Sequence, residues 1–240
     1  MTRDSSNTRE LGRALSDVER GEQTSFQDKE RNAFRIGVTG APGVGKSLLT
    51  DRLIEDFVGK GRKVGALLTD PSSPVTQGAL LGDRIRLKTL EYGENAFVRS
   101  VASRGHPGGL TPTTAEMAGV LDSAGFDPIL IESVGIGQNQ TDIIDVADCV
   151  VLVTGPEQGD EVQMLKAGIL EVAHIFVVNK SDLPGADRSA ALLKENVTER
   201  PDGWKPPICL VSALNCSGID ELILAIDHRR GFVDGNSSAQ

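Results

Sequence analysis

With 240 residues, 39% of them hydrophobic and only 4% aromatic, the chain is long enough for one α/β domain with modest tails. A formal net charge of −9 and the lack of any basic run argue against a nucleic-acid groove, where cations must neutralise phosphates. The three cysteines, Cys149, Cys209 and Cys216, have neither C-x-x-C nor paired spacing, which argues against a disulfide framework or a zinc site.

Residues 1–33 alternate acids and bases. Leu11, Leu15 and Val18 fall on one helical face, so a short amphipathic helix docked on the domain or on a partner stands beside a frayed tail. The start of the chain has no apolar signal-peptide region, and no apolar run reaches membrane-spanning length. A cytoplasmic protein with no membrane contact is the expectation. Phe34–Thr39 reads as a buried strand, and a helix with Leu49, Leu53, Ile54 and Phe57 at helical spacing follows a Gly-rich turn. Further strands are predicted over Lys63–Thr69 (ending in Asp70), Ala96–Ser100, Pro128–Glu132, Cys149–Thr154, His174–Asn179 and Pro207–Val211. Helices are predicted over Thr113–Ser123, 159–172, 187–197 and Asp220–Arg229. Strands separated by helices imply an α/β fold, a mostly parallel central sheet with helices on both faces. The chain divides into a polar, helical extension (1–33), one main domain (34–230) and a disordered tail (231–240).

The turn after the first strand carries the chemistry. Gly40-Ala41-Pro42-Gly43-Val44-Gly45-Lys46-Ser47 fits G-x-x-x-x-G-K-[ST], with Leu48 continuing into the helix. Glycines at 40, 43 and 45 let backbone crowd a polyphosphate, and successive N–H groups form an anion nest at a helix N-terminus. Lys46 is placed as a point charge on the β- and γ-phosphates, and Ser47 as a hydroxyl ligand for Mg²⁺.

Asn179-Lys180-Ser181-Asp182, after a later strand, fits the guanine-reading pattern N-K-x-D. An Asp carboxylate accepts from both N1–H and the 2-amino group of guanine, donors that adenine lacks. Asn179 would brace the loop and the stem of Lys180 would lie over the base. Ser212-Ala213-Leu214, after the next strand, fits an S-A-x turn whose backbone N–H faces the guanine oxygen. Asp70, Asp83 and Glu132 stand at strand or loop positions able to face Mg²⁺, which prefers hard oxygen ligands. Glu132 and Gly135 form a D/E-x-x-G pattern in which the Gly135 N–H meets the γ-phosphate. Gln138, in the Gly-rich stretch after it, is the candidate to orient the attacking water. His106, His174 and His228 suggest no metal cluster; His228 is read near a helix end, where it suits the dipole.

These residues resemble the methylmalonyl-CoA mutase-associated GTPases of the MeaB/ArgK type, within the SIMIBI class of P-loop GTPases. The matching runs are Gly37–Ser47, Asp70–Leu87, Phe97–Leu110, Glu132–Gln140, Gly159–Asp182 and Ser212–Leu214. The resemblance implies a GTP-binding and GTP-hydrolysing chaperone for an adenosylcobalamin-dependent acyl-CoA mutase, gating cofactor loading and protecting the mutase. It implies GTP or GDP and Mg²⁺ as ligands, with Ser47, Asp70, Asp83 and Glu132 around the metal and Asn179, Lys180 and Asp182 on guanine. It also implies switch loops near 70–87, 132–145 and 155–166. Two positions depart from the family: Gln140 stands where Glu is usual and Gln77 where Gly is usual. The chain ends about where the family's C-terminal dimerisation helices would begin, so its homodimer is not counted on. Two alternatives share the class: a nucleotide-binding scaffold with little turnover, and a metallochaperone GTPase, which would want Cys or His ligands near the switches.

Overall fold

The computed structural model of the chain describes residues 4–22, 24, 32–70, 92–102, 110, 113–134, 140–156 and 169–237. Within them the strands are β1 (Arg35–Gly40), β2 (Val64–Asp70), β3 (Ala96–Ala102), β4 (Ile129–Glu132), β5 (Cys149–Thr154), β6 (Ile175–Asn179) and β7 (Ile208–Val211). They form one seven-stranded sheet in the order β3-β2-β4-β1-β5-β6-β7. Every pairing is parallel. The described helices are α1 (Asp4–Glu19), α2 (Lys46–Gly59), α3 (Thr114–Ser123), α4 (Ala186–Asn196) and α5 (Ile219–Ser237).

Two apolar cores cover the two faces. Leu49, Leu53 and Phe57 of α2 and Leu222, Ile223 and Ile226 of α5 share one with β-strand residues such as Ile36, Val38 and Val151. Leu15 of α1, Met117 and Leu121 of α3, and Leu193 of α4 share the other with Ile129, Ile131 and Leu152. Strands β1, β5 and β6 are buried along their whole length, which is why they read as continuous apolar runs rather than alternating ones. From β1 the chain crosses over β4 to β2, and its later half proceeds outward on the other side from β5. That reversal of direction puts a ligand crevice at the carboxyl ends of β1, β4 and β5.

The N-terminal segment docks on the domain. Leu11, Ala14, Leu15 and Val18 are all at most 6% exposed and belong to the core shared with α3. Arg99 of β3 clamps the helix end, donating to Glu19 Oε2 and Ser16 Oγ, each at 3.1 Å. At the other end of the chain, α5 runs to Ser237, beyond the Arg229 at which a polar tail was expected. Gly231 and Gly235 disfavour helix, but tertiary contact overrides propensity. The Phe232 ring stacks edge-on against Trp204 at 5.2 Å, and the Arg229 guanidinium lies over both rings. His228 therefore sits in mid-helix, 5.4 Å from the Trp204 ring, and not at a helix end. The helix expected over 159–172 falls mostly outside the described residues; of its described part, Ile169–Glu171 is a 3-10 turn. Cys149 and Cys209 are core thiols: burial pushes the first up to about 12 and the second to about 11, so neither ionises near neutrality. Among the described residues no helix is long and apolar enough to cross a membrane.

His174, just before β6, accepts the Val150 N–H on Nδ1 at 2.9 Å, which fixes the neutral tautomer with its proton on Nε2. Burial, then repulsion from Arg229 and Arg200, pushes its pKa down to about 4. The unfolded chain binds this proton near pH 6.5 and the folded one only near 4, so stability must fall as pH drops through that window. Unfolding by urea at pH 7 and pH 5 should show this loss in the native chain and a shallower one in His174→Asn; equal slopes would remove His174 as the titrating group. Leu15→Ala should cost about 2–5 kcal/mol, lowering the melting temperature by about 5–15 °C in a domain of this size. An unchanged melt would mean that α1 is not part of the folding unit.

Candidate functional site

The turn between β1 and α2 is shaped by what lies beside it. Gly40 has φ +145°, and a Cβ there would come within 2.0 Å of the Val153 carbonyl oxygen of β5. Gly45, the residue before α2, has φ +92°, and a Cβ there would lie 2.5 Å from Asn179 Nδ2. Both positions thus need glycine for space as well as for backbone angle. The loop curls around the ammonium of Lys46, which is 7% exposed. Its Nζ donates to the carbonyls of Gly40 at 2.9 Å and Ala41 at 3.1 Å. Burial lowers its pKa, and the nearby Glu132 carboxylate partly restores it. An ammonium has three N–H donors and two are engaged here; an anion at the loop mouth would take the third.

Ser47 Oγ donates to Glu132 Oε1 at 2.7 Å, joining the first turn of α2 to the end of β4. Beneath them, Ser133 Oγ donates to Thr39 Oγ1 at 2.8 Å in a buried contact that ties the residue after Glu132 to the strand before the loop. A hydroxyl and a carboxylate oxygen side by side at the mouth of an anion nest are hard donors of the kind Mg²⁺ takes, with phosphate oxygens and water completing its shell. The residues present therefore fit that metal. Asp70 ends β2, whose Leu68 pairs with Glu132. The Asp70 side chain, and all of Asp83, Gly135 and Gln138, lie outside the described residues, as do Gln77 and His106. Gln140 opens a 3-10 helix, Gln140–Asp145.

The second half of the site is built on β6 and β7. Asn179, 2% exposed, donates through Nδ2 to the Val44 carbonyl at 2.8 Å and accepts the Ala213 N–H on Oδ1 at 3.1 Å. One amide therefore joins the phosphate loop to the S-A-x turn, where it engages the Ala213 N–H. Lys180 follows in the left-handed region with φ +59°. The Ser181 N–H donates to the Val211 carbonyl at 3.0 Å and the Leu183 N–H to the Lys180 carbonyl at 2.9 Å, which closes the turn. Asp182 is exposed, and its Oδ1 accepts the Ser212 hydroxyl at 2.5 Å. Leu214 is 69% exposed on the same loop. Gly40 through Leu48, Glu132, Asn179 through Asp182, and Ser212 through Leu214 thus converge from four strand ends. The Thr39–Ser133 pair was missed from the sequence; the signal was a hydroxyl residue breaking each apolar run just where the strand meets its loop.

The chain is similar to known proteins in sequence and in fold. A family model described as methylmalonyl Co-A mutase-associated GTPase MeaB matches residues 23–240. A protein of Pyrococcus abyssi is 46% identical over 208 residues, covering 85% of this chain and 64% of its own. The mitochondrial methylmalonic aciduria type A homolog of Mus musculus is 36% identical over 195 residues, covering 79% of this chain and 47% of its own. The chain therefore spans between about half and two thirds of the length of these relatives. A solved structure described as LAO/AO transport system kinase superposes with a TM-score of 0.71 at 22% identity, covering 98% of this chain and 78% of that one, a likeness of fold.

Asn179→Ala should leave the Val44 carbonyl and the Ala213 N–H without their partner, at a cost of about 2–4 kcal/mol for two buried groups. Gly45→Ala alone should also destabilise, and the double variant by less than the sum, because the clash of the new Cβ is with the side chain that has been removed. A denaturant double-mutant cycle measures the coupling; strict additivity would refute the contact.

Proposed function

Because the chain belongs to the MeaB family of methylmalonyl-CoA mutase-associated GTPases, we propose that it binds GTP and hydrolyses it to GDP and phosphate in the service of such a mutase. The observation that carries the reading is the Asn179 bridge from the Val44 carbonyl to the Ala213 amide, which unites an anion nest with a base-reading loop. In this reading the N–H groups from Gly43 to Leu48 and the N-terminus of α2 hold the polyphosphate. Lys46 meets the β- and γ-phosphate oxygens with a buried charge, strong because it is desolvated. Asp182 accepts the two guanine donors while its contact with Ser212 holds the carboxylate in place. Ser47 and Glu132, with Asp70 and Asp83, hold Mg²⁺, which when bound neutralises charge on the β- and γ-oxygens. Water attacks the γ-phosphorus, the bond to the β,γ-bridging oxygen breaks, GDP leaves with that bond's electron pair, and of the water's two protons one stays on the phosphate formed and the other goes to solvent. Gln138 is assigned to orient that water, and Gly135 to sense the γ-phosphate, on pattern alone.

The mutase link rests on the family description and on the mouse relative, which is named for methylmalonic aciduria. The role proposed is that of a chaperone: nucleotide state governs how the protein engages an adenosylcobalamin-dependent acyl-CoA mutase during cofactor loading. Turnover of GTP should rise when the mutase from the native host is added; no change, together with no co-purification, would remove the mutase from the proposal.

Two substitutions test the nucleotide site itself. Lys46→Ala should abolish detectable GTP turnover, and unchanged turnover would overturn the phosphate-loop assignment. Asp182→Asn should shift the preference between GDP and xanthosine diphosphate toward the latter by about a hundredfold, since two charge-assisted hydrogen bonds are at stake. Calorimetry with Mg²⁺ reads the ratio; a retained GDP preference would take Asp182 out of the base site.

A further inference from the structure

Ala213 is held at both of its backbone groups, and only one of the two holders belongs to a recognisable motif. Its N–H goes to Asn179 Oδ1 at 3.1 Å. Its carbonyl accepts from Arg52 Nε, also at 3.1 Å. Arg52 lies on α2, six residues beyond Lys46, so about 9 Å further along the same rigid rod. Its other arm is fixed: NH1 donates to Glu55 Oε2 at 2.6 Å, one turn further along the helix. That hydrogen bond is the main cause of the rise in the Arg52 pKa, so the guanidinium stays charged. The loop it holds is closed on itself by reciprocal hydrogen bonds between the Ser212 and Ser217 backbones at 3.0 and 3.1 Å, and by the Asn215 N–H on Ser212 Oγ at 3.3 Å. A loop so closed moves as one body. Without Arg52, the hydrogen bond running directly from the phosphate helix to that loop would be gone, leaving the bridge through Asn179, the Ser212–Asp182 contact and the apolar packing of Ala213.

We propose that Arg52 is a positioning residue for guanine selectivity, one that sets the distance between the phosphate-binding end of α2 and the base-reading turn Ser212–Leu214. This rests on the reading of the site as a guanine-nucleotide pocket. The helix whose first turn meets the phosphates carries, on its second, the group that fixes the loop reading the base. Glu55 orients Arg52 so that Nε, rather than a terminal nitrogen, reaches the carbonyl. A lysine at 52 can donate one of the two hydrogen bonds but cannot make both in this geometry.

The test measures Kd for GDP and for ADP, both with Mg²⁺, on the full chain and on Arg52→Ala and Arg52→Lys, with thermal melts alongside. Arg52→Ala should weaken GDP about tenfold, the effect of losing one half-buried hydrogen bond from a charged donor. ADP binding, which draws nothing from the base-reading loop, should change little, so the GDP-to-ADP ratio narrows. Arg52→Lys should recover part of the ratio. A lowered melting temperature with an unchanged ratio in Arg52→Ala would overturn the proposal, because a merely structural arginine moves stability and not base preference. A native chain with no preference for GDP over ADP would instead overturn the guanine reading on which the proposal stands.

Discussion

The site depends on one buried carboxamide. Asn179 sits at the end of β6, and its two polar atoms are used on two different loops. A side chain that donates in one direction and accepts in the other cannot be replaced by an acid or an apolar group without orphaning a buried backbone partner. Its presence also dictates a residue far from it in sequence: Gly45 carries no Cβ because Asn179 Nδ2 occupies that space. A glycine in a phosphate-loop pattern is here required by a side chain at the end of β6 as well. Strand β1 supplies one loop and β6 the other, with β5 between them, and the Val153 carbonyl of β5 is the wall against which Gly40 packs. The parallel sheet therefore fixes the spacing of the two halves before any ligand contributes.

Electrostatics at the other half follows a different logic. Lys46 and Glu132 are both buried, at 7% and 6% exposure, and the Glu132 carboxylate favours the charged form of Lys46. Taking an ammonium out of water is costly, and a carboxylate at a distance offsets only part of that cost. Such a pair is weak evidence for stability and better evidence for chemistry. What the arrangement provides is a cation already desolvated, with carbonyls of its own loop holding it in place, so little reorganisation is needed when an anion arrives. The hydroxyl of Ser47 turned onto Glu132 keeps two oxygen donors at one point beside it.

Much of the fold was legible because a parallel sheet covered on both faces writes itself as apolar runs; the strand limits observed differ from those read by a residue or two. The nucleotide motifs were legible because each is local: eight consecutive residues for the phosphate loop, four for Asn179–Asp182. What escaped reading was contact between distant positions. The Thr39–Ser133 and Arg52–Ala213 pairs lie 94 and 161 residues apart, and nothing in either neighbourhood announces the other. The tail was misjudged for a related reason. Two glycines and a string of polar residues after Arg229 do not suggest helix; the extension to Ser237 is held by Phe232 against Trp204, a single aromatic in a Pro- and Gly-rich connection, and by Val233 on the core. The N-terminal helix posed the converse problem: its apolar stripe was visible, but a stripe does not name the surface it covers, which is the core beside α3.

Helix α2 brings these strands of reasoning to one object. Its apolar side, Leu49, Leu53 and Phe57, is wholly buried against the sheet, so the rod cannot rock without breaking the core. Its first turn carries Lys46 and Ser47, and its second carries Arg52. At its far end the Arg62 guanidinium lies over the Phe57 ring and pairs with Asp227 of α5 at 2.9 and 3.1 Å, tying the two helices of that face together. A strain placed on the loop at Ser212–Ser217 is therefore felt through Arg52 by α2, whose first turn carries Lys46 and Ser47, and through α5 by the core. Under the proposed reading, selectivity for the base and grip on the phosphates would be one mechanical property, set by how firmly a single helix is packed.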